Sequence, residues 1–153
     1  MIAGNTSSSV FPNHIFHSAL SILESASFVG GALWWTKTMN TFLLAPQICG
    51  LHIDFLISPS PHEVPMPWTQ IAGLNVGAIH HHECLEIIEW SPNLVRCELG
   101  IKCLMESCRI RPTFLSSQLR FLHIFTSFDV GDLLDHLILP ALLDVYFEQY
   151  GTQ

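Results

Sequence analysis

The stretch CLEIIEWSPNLVRCEL, residues 84–99, combines a short helix with a strand and sets the pattern for the rest of the chain. Its first half places apolar residues at the 3.6-residue period of a helix. Pro92 ends that helix, because its ring pushes Ser91 out of the α region and it supplies no amide donor. Apolar residues then follow in the order apolar-x-x-apolar-x-apolar. The pattern predicts a helix over 81–90 and a strand over 94–101.

The same phrase occurs around Pro46 and again around Pro140, 46 residues before and 48 residues after Pro92. Strands without the proline fall midway between these copies, and a weaker copy lies near the start of the chain. The six predicted strands begin 23 to 25 residues apart. Their first apolar residues are Leu23, Ile48, Ile71, Leu94, Leu119 and Leu142. The second and third apolar positions are Ala26, Leu51, Leu74, Cys97, Leu122, Val145 and Phe28, Ile53, Val76, Leu99, Ile124, Phe147.

One position of the repeat stays non-aliphatic in all six copies. It lies between the second and third apolar residues, and we call its members the polar row: Ser27, His52, Asn75, Glu98, His123 and Tyr146. If the strands stack in parallel, alternation places this row on the side of the sheet away from the core.

A turn of this length, with one strand and one connector, is typical of a leucine-rich-repeat solenoid. The sequence therefore predicts an α/β fold with a curved parallel sheet of five to six strands and helical and irregular connectors outside. Further helices are predicted over 39–44 and 129–139, and a loop with two anchored tryptophans over 29–38. We expect a poorly ordered N-terminal segment over 1–19 and a repeat domain over 20–153. The alternative is a generic α/β domain with accidental spacing.

Composition narrows the function. The chain has 153 residues, six Lys plus Arg against thirteen Asp plus Glu, and a net charge of −7. No basic cluster exists, so nucleic-acid binding is not expected. No run of about 18 apolar residues exists, so we expect no membrane helix. The five cysteines form an odd set, which favours reduced thiols in an intracellular protein of the cytoplasm or nucleus.

Several phrases resemble the repeat region of F-box/leucine-rich-repeat proteins, particularly the expanded families of mushroom-forming fungi. The specific parts are PW-x-Q-apolar-x-x-L over 67–74 and ECLEI…SPNLV over 83–95, and residues 42–55 and 133–145 resemble the same region. The resemblance covers about residues 20–150.

This resemblance implies substrate recognition for a ubiquitin ligase, in which an F-box domain binds the Skp1 adaptor and the repeats bind the target. We expect no Skp1-type adaptor binding from this chain alone, because no F-box-like helical segment precedes the first strand. The chain would then be a fragment or a truncated member of such a family. The Asn or Cys that usually follows the third apolar position is also absent.

Metal and catalytic chemistry are weaker alternatives. Three adjacent histidines, His80, His81 and His82, cannot all ligate one ion on a helix, because successive side chains point about 100° apart. We expect no metal, no cofactor and no catalytic residue. A histidine-based metal or acid–base hydrolase would use Glu98 with His123, or His52 with Asp54. A third hypothesis is a degenerate repeat protein with only a structural role.

The predicted partner surface is the non-core side of the sheet. Beside the polar row runs a second row, the flanking row: Ser25, Gly50, Gly73, Arg96, Phe121 and Asp144. Interfaces draw most of their energy from Arg and aromatic anchors. The predicted binding residues are therefore Arg96, Glu98, Phe121, His123 and Tyr146, with His52 and Asn75 beside them.

Overall fold

The computed structural model describes residues 23–29, 45–54, 66–103, 113–127 and 129–150. Eight strands and two α-helices lie in this part of the chain, together with a short 3-10 helix over Trp68–Gln70. In chain order they are β1 Ser25–Val29, β2 Gly50–Asp54, β3 Gly73–His80, α1 His81–Trp90, β4 Arg96–Cys103, β5 Phe114–Leu115, β6 Phe121–Thr126, α2 Gly131–Asp135, β7 Leu137–Ile138 and β8 Asp144–Gln149.

Six of the strands form one parallel sheet in sequential order, β1-β2-β3-β4-β6-β8. The pairing register follows the predicted rows: Leu51 lies opposite Leu74, Leu74 opposite Cys97, and Cys97 opposite Leu122. The predicted parallel sheet of six strands is therefore confirmed, together with its register.

The core lies on one side of this sheet. The apolar rows fill it, and Ile48, Ile71, Leu94 and Leu119 have no exposed surface. Because side chains alternate across a strand, the residues between these rows point to the opposite side. The rows end at β8, whose Val145 and Phe147 remain 48% and 44% exposed.

Helix α1 covers the core and has the predicted bounds. Its residues Cys84, Leu85, Ile87 and Ile88 are buried, as the apolar spacing indicates. The His80 amide donates to Glu83 Oε2 at 2.9 Å, which satisfies one of the free N–H groups at the helix start. The helix ends at Trp90, immediately before the Ser-Pro step.

Two tryptophans link α1 to the preceding turn. The rings of Trp68 and Trp90 lie 6.2 Å apart between centroids and are tilted by 47°. This is the geometry of a packed aromatic pair. The two rings therefore pack α1 against the turn that precedes it.

The strands begin about two residues later than predicted, because in most of the repeats the first apolar residue lies in a tight turn that leads into the strand. The amide of this residue donates to the carbonyl three positions back: Ile48 to Ala45, Ile71 to Trp68, and Leu94 to Ser91. The side chain is buried while its backbone belongs to the turn.

The predicted helix over 129–139 is wrong in length, because α2 spans only five residues. The segment after it forms β7, which pairs in parallel with β5. Phe114 N–H donates to His136 O at 2.7 Å, and Ser116 N–H donates to Ile138 O at 3.0 Å. The carbonyls of residues 136 and 138 therefore accept hydrogen bonds from the β5 segment, where a longer helix would have used them within itself.

The predicted curvature is also wrong, because the six-stranded sheet is not curled. A parallel sheet curves when the elements of the outer layer are spaced more widely than the strands of the sheet. Here β5 and β7 come from successive turns and hydrogen-bond to each other, so this part of the outer layer has the same strand spacing as the main sheet. The predicted N-terminal segment, first helix and Trp34–Trp35 loop lie outside the described residues.

Candidate functional site

The parallel register brings both predicted rows together on the side of the sheet away from the core. Along the polar row, His52 lies opposite Asn75, Asn75 opposite Glu98, Glu98 opposite His123, and His123 opposite Tyr146. Along the flanking row, Arg96 lies opposite Phe121. All seven predicted binding residues therefore share one surface, which we call the open face.

A hydrogen-bonded cluster occupies the middle of the open face. Asn75 Nδ2 donates to Glu98 Oε2 at 2.6 Å, and Arg96 donates through Nε and one terminal nitrogen to Glu98 Oε1 at 2.9 and 2.8 Å. The side chain of Glu98 is 20% exposed and that of Arg96 is 65% exposed. The carboxylate is thus held by two partners, while much of the guanidinium stays open to a ligand.

An aromatic cluster lies beside it, around His123. The imidazole lies 3.8 Å from the Phe125 ring and 4.5 Å from the Tyr146 ring, measured between centroids. Its Nε2 lies 4.0 Å from Glu148 Oε2 and has no hydrogen-bond partner among the residues that the structure describes. The cluster therefore presents ring faces and edges together with a carboxylate on the open face.

The early strands contribute a shallow depression rather than projecting groups. Gly50 and Gly73 line a depression of about 310 Å³, together with Ser25, Ser27 and His52. A Cβ added at Gly73 would meet no atom within 4 Å. A smaller depression of about 170 Å³ lies between Arg96, Phe121 and Tyr146. The open face is therefore flat at its beginning and carries anchor side chains at its end.

The two proposed catalytic pairs are not assembled. The carboxylate of Glu98 accepts hydrogen bonds from Asn75 and Arg96. His123 instead has the carboxylate of Glu148 at 4.0 Å from its Nε2. His52 and Asp54 form no hydrogen bond or ion pair with each other within the described residues. The structure therefore brings Glu98 and His123 into adjacent strands without pairing their functional groups.

The histidine triplet does not form a common ligand set. His81 is buried, whereas the rings of His80 and His82 lie stacked at 5.7 Å on the exposed side. The Cys84 thiol donates to the His80 carbonyl at 3.4 Å rather than facing an imidazole. Across the parts of the chain that the structure describes, no group of three His, Cys, Asp or Glu residues is arranged to hold a metal ion.

The sequence reasoning missed two features of this region. The first is Glu148, which approaches His123. It comes two residues after Tyr146 on the same strand, so alternation places both side chains on the same face of the sheet. A cleft of about 480 Å³ lies at the carboxyl ends of the strands, beside a bulge at Gly77 and Ala78. No repeat position signals this bulge in the sequence.

No helix in the described ranges has the length and apolar character needed to cross a membrane. A scan against protein-family models, a search of curated proteins and a search of solved structures each found no match to this chain.

Proposed function

We propose that this chain is a non-enzymatic protein-binding module built from leucine-rich-repeat-type turns. In this proposal it acts like the substrate-recognition repeats of an F-box ubiquitin-ligase receptor. Six equivalent strands at 23- to 25-residue spacing support the repeat architecture, because each turn contributes the same three core positions. The reduced thiols Cys49, Cys84 and Cys97 support a location inside the cell.

The observation that carries the proposal is the grouping of an arginine and aromatic rings on the open face. Arg96 and Phe121 lie opposite each other on adjacent strands, and Tyr146 stands beside them at 60% exposure. Arginine and aromatic side chains supply most of the binding energy in protein interfaces. A surface with these anchors and an adjacent flat depression suits an extended segment of a partner protein.

The binding test replaces Arg96 and Phe121 with alanine, singly and together. Proteins captured from an extract of the source cells by the wild-type chain are identified, and the affinity of each purified candidate is then measured by calorimetry. We expect the double variant to lose at least about tenfold in affinity, since anchor truncations cost more than about 1 kcal/mol each. The melting temperature should change little, because exposed substitutions cost within about 0.5 kcal/mol.

Arg120→Ala is the matched control, because it removes an exposed arginine that lies next to Phe121 in sequence but outside both rows. Its affinity should equal that of the wild type. A pull-down with Skp1 and this chain alone should give no complex. Unchanged affinity in the Arg96→Ala/Phe121→Ala variant would refute the proposed surface, and a large loss of stability in that variant would mean that these side chains support the fold.

A further inference from the structure

The main sheet has two open edges within the described part of the chain. Among the strands that the structure describes, β1 pairs only with β2, and β8 pairs only with β6. An unpaired strand edge offers a row of N–H and C=O groups to another strand. These two edges lie at opposite ends of the same parallel sheet, so the backbone groups of one edge can be matched with those of the other.

Hydrogen-bond alternation decides which groups face outward. Asp144 and Tyr150 donate their amides to β6, at Arg120 O and Thr126 O. Since N–H groups alternate sides along a strand, the backbone groups of Val145 and Phe147 point away from the sheet. On β1, Glu24 O accepts from Gly50 of β2, so the same alternation turns the backbone groups of Ser25 and Ser27 outward.

These outward groups are in phase with each other. Neighbouring strands of the sheet follow one hydrogen-bond rule. The amide of the flanking-row residue donates to the preceding strand, at the carbonyl just before that strand's own flanking-row residue. For example, Asp144 donates to Arg120 O, and Arg120 comes directly before Phe121. A β1 strand placed beside β8 would repeat this: the Ser25 amide would reach Leu143 O, and the Ser27 amide would reach Val145 O. No change of register is needed.

The side chains also match. Parallel continuation would place Ala26 beside Val145 and Phe28 beside Phe147, which extends both core rows and covers the exposed apolar surface of β8. It would place the neutral Ser25 opposite Asp144. Antiparallel pairing of two β8 strands with Val145 opposite Phe147 would instead place Asp144 opposite Glu148, and like charges directly opposite are destabilising.

We infer that the β8 edge binds the β1 edge of a second copy of this chain, so that copies associate head to tail with the sheet continuing between them. Such a heterologous contact leaves one β1 edge and one β8 edge free in each dimer, so further copies can add. This inference is independent of the proposed partner on the open face, because it uses the strand edges and the core rows.

The test uses two variants of the full chain that each block one edge. Val145→Lys puts a charge on the β8 edge, and Ser27→Pro removes an amide that points outward from β1. Sedimentation velocity over a concentration series should show a wild-type mass that rises with concentration and monomers for each variant alone. A 1:1 mixture should form a heterodimer that does not extend, because one free β8 edge and one free β1 edge remain available to each other. Circular dichroism melts verify that each variant is folded.

Leu115→Lys is the matched control, because it makes the same change at an apolar residue that is 66% exposed in β5, away from both edges. It should associate like the wild type. A wild-type chain that stays monomeric at the highest attainable concentration overturns the inference, as does a mixture of the two edge variants that stays monomeric. Dimers of Ser27→Pro alone would mean that two β8 edges pair with each other, and loss of association in Leu115→Lys would mean non-specific apolar contact.

Discussion

At the residue scale, a bulge in β3 explains why β4 carries a glycine at position 100. Val76 pairs with Leu99 and Ile79 pairs with Ile101, so β3 has one extra residue between these pairs. Ala78 takes up the extra length at a φ of 59°, a region that residues other than glycine seldom adopt. The bulged backbone approaches β4, and a Cβ added at Gly100 would lie 2.8 Å from the Ala78 amide nitrogen.

Replacing Gly100 with alanine should therefore destabilise the protein by about 1–3 kcal/mol, because one backbone must move away from the other. Urea denaturation measures the change in the free energy of unfolding. Gly73→Ala is the control, since a Cβ there meets nothing within 4 Å and alanine in a strand is worth about 0.5–1 kcal/mol over glycine. Equal stabilities of the two variants would contradict the close approach of the bulge.

Two buried thiols give the protein a pH dependence. Burial raises the pKa of Cys84 and of Cys97 above the ordinary value of 9.0, and the neighbouring Cys97 raises that of Cys84 further. A raised pKa in the folded state means that both thiols keep their protons above pH 9.0, where the unfolded chain releases them. Their contribution to stability is therefore complete below pH 9.0 and is lost as the pH rises above it.

We expect the free energy of unfolding to fall by about 1.4 kcal/mol per pH unit for each buried thiol above this point. Urea denaturation of the wild type and of Cys97→Val, from about pH 8 to about pH 10, compares the slopes. The variant should have the shallower slope whatever its absolute stability. Identical slopes would show that Cys97 ionises as readily in the folded chain as in the unfolded chain.

At the element scale, β4 and β8 have the same repeat pattern but different surroundings. Leu94, Cys97 and Leu99 of the β4 turn are fully buried, whereas Val145 and Phe147 of β8 are about half exposed. In the described part of the chain, β4 has a strand on each side, whereas β8 has one neighbouring strand. Local opening costs less where few buried contacts must be broken.

Hydrogen exchange of dilute protein should therefore show much weaker protection at Val145 and Phe147 than at Cys97 and Leu99. The amides of Val145 and Phe147 face outward, which adds to the difference. The inward amide of Asp144 serves as an internal control for fraying of the whole strand, since it donates to Arg120 O. Equal protection of β4 and β8 in dilute protein would mean that a group outside the described residues covers this edge.

At the scale of the whole molecule, the sheet separates the packed core from the open face. One side holds the apolar rows under α1, and the other holds Arg96, Glu98 and the ring cluster around His123. Because alternate residues of the same strands serve the two sides, either side can change while the other keeps its pattern. The binding surface that we propose could therefore change without cost to the core.

The sequence by itself determined the period of the repeat, the three core rows, the bounds of α1 and the residues that share the open face. Strand alternation and the Ser91-Pro92 stop act over a few residues. The period was readable because each turn repeats the same short apolar pattern after 23 to 25 residues.

Only the tertiary structure decided how those residues are partnered and where the regular pattern fails. Glu98 could have faced His123, but Asn75 from the preceding strand donates to its carboxylate instead. The short α2, the β5–β7 pair and the bulge at Ala78 likewise arise from contacts between different turns. Such contacts join residues about 20 or more positions apart, so the competition between possible partners is settled only when the turns pack together.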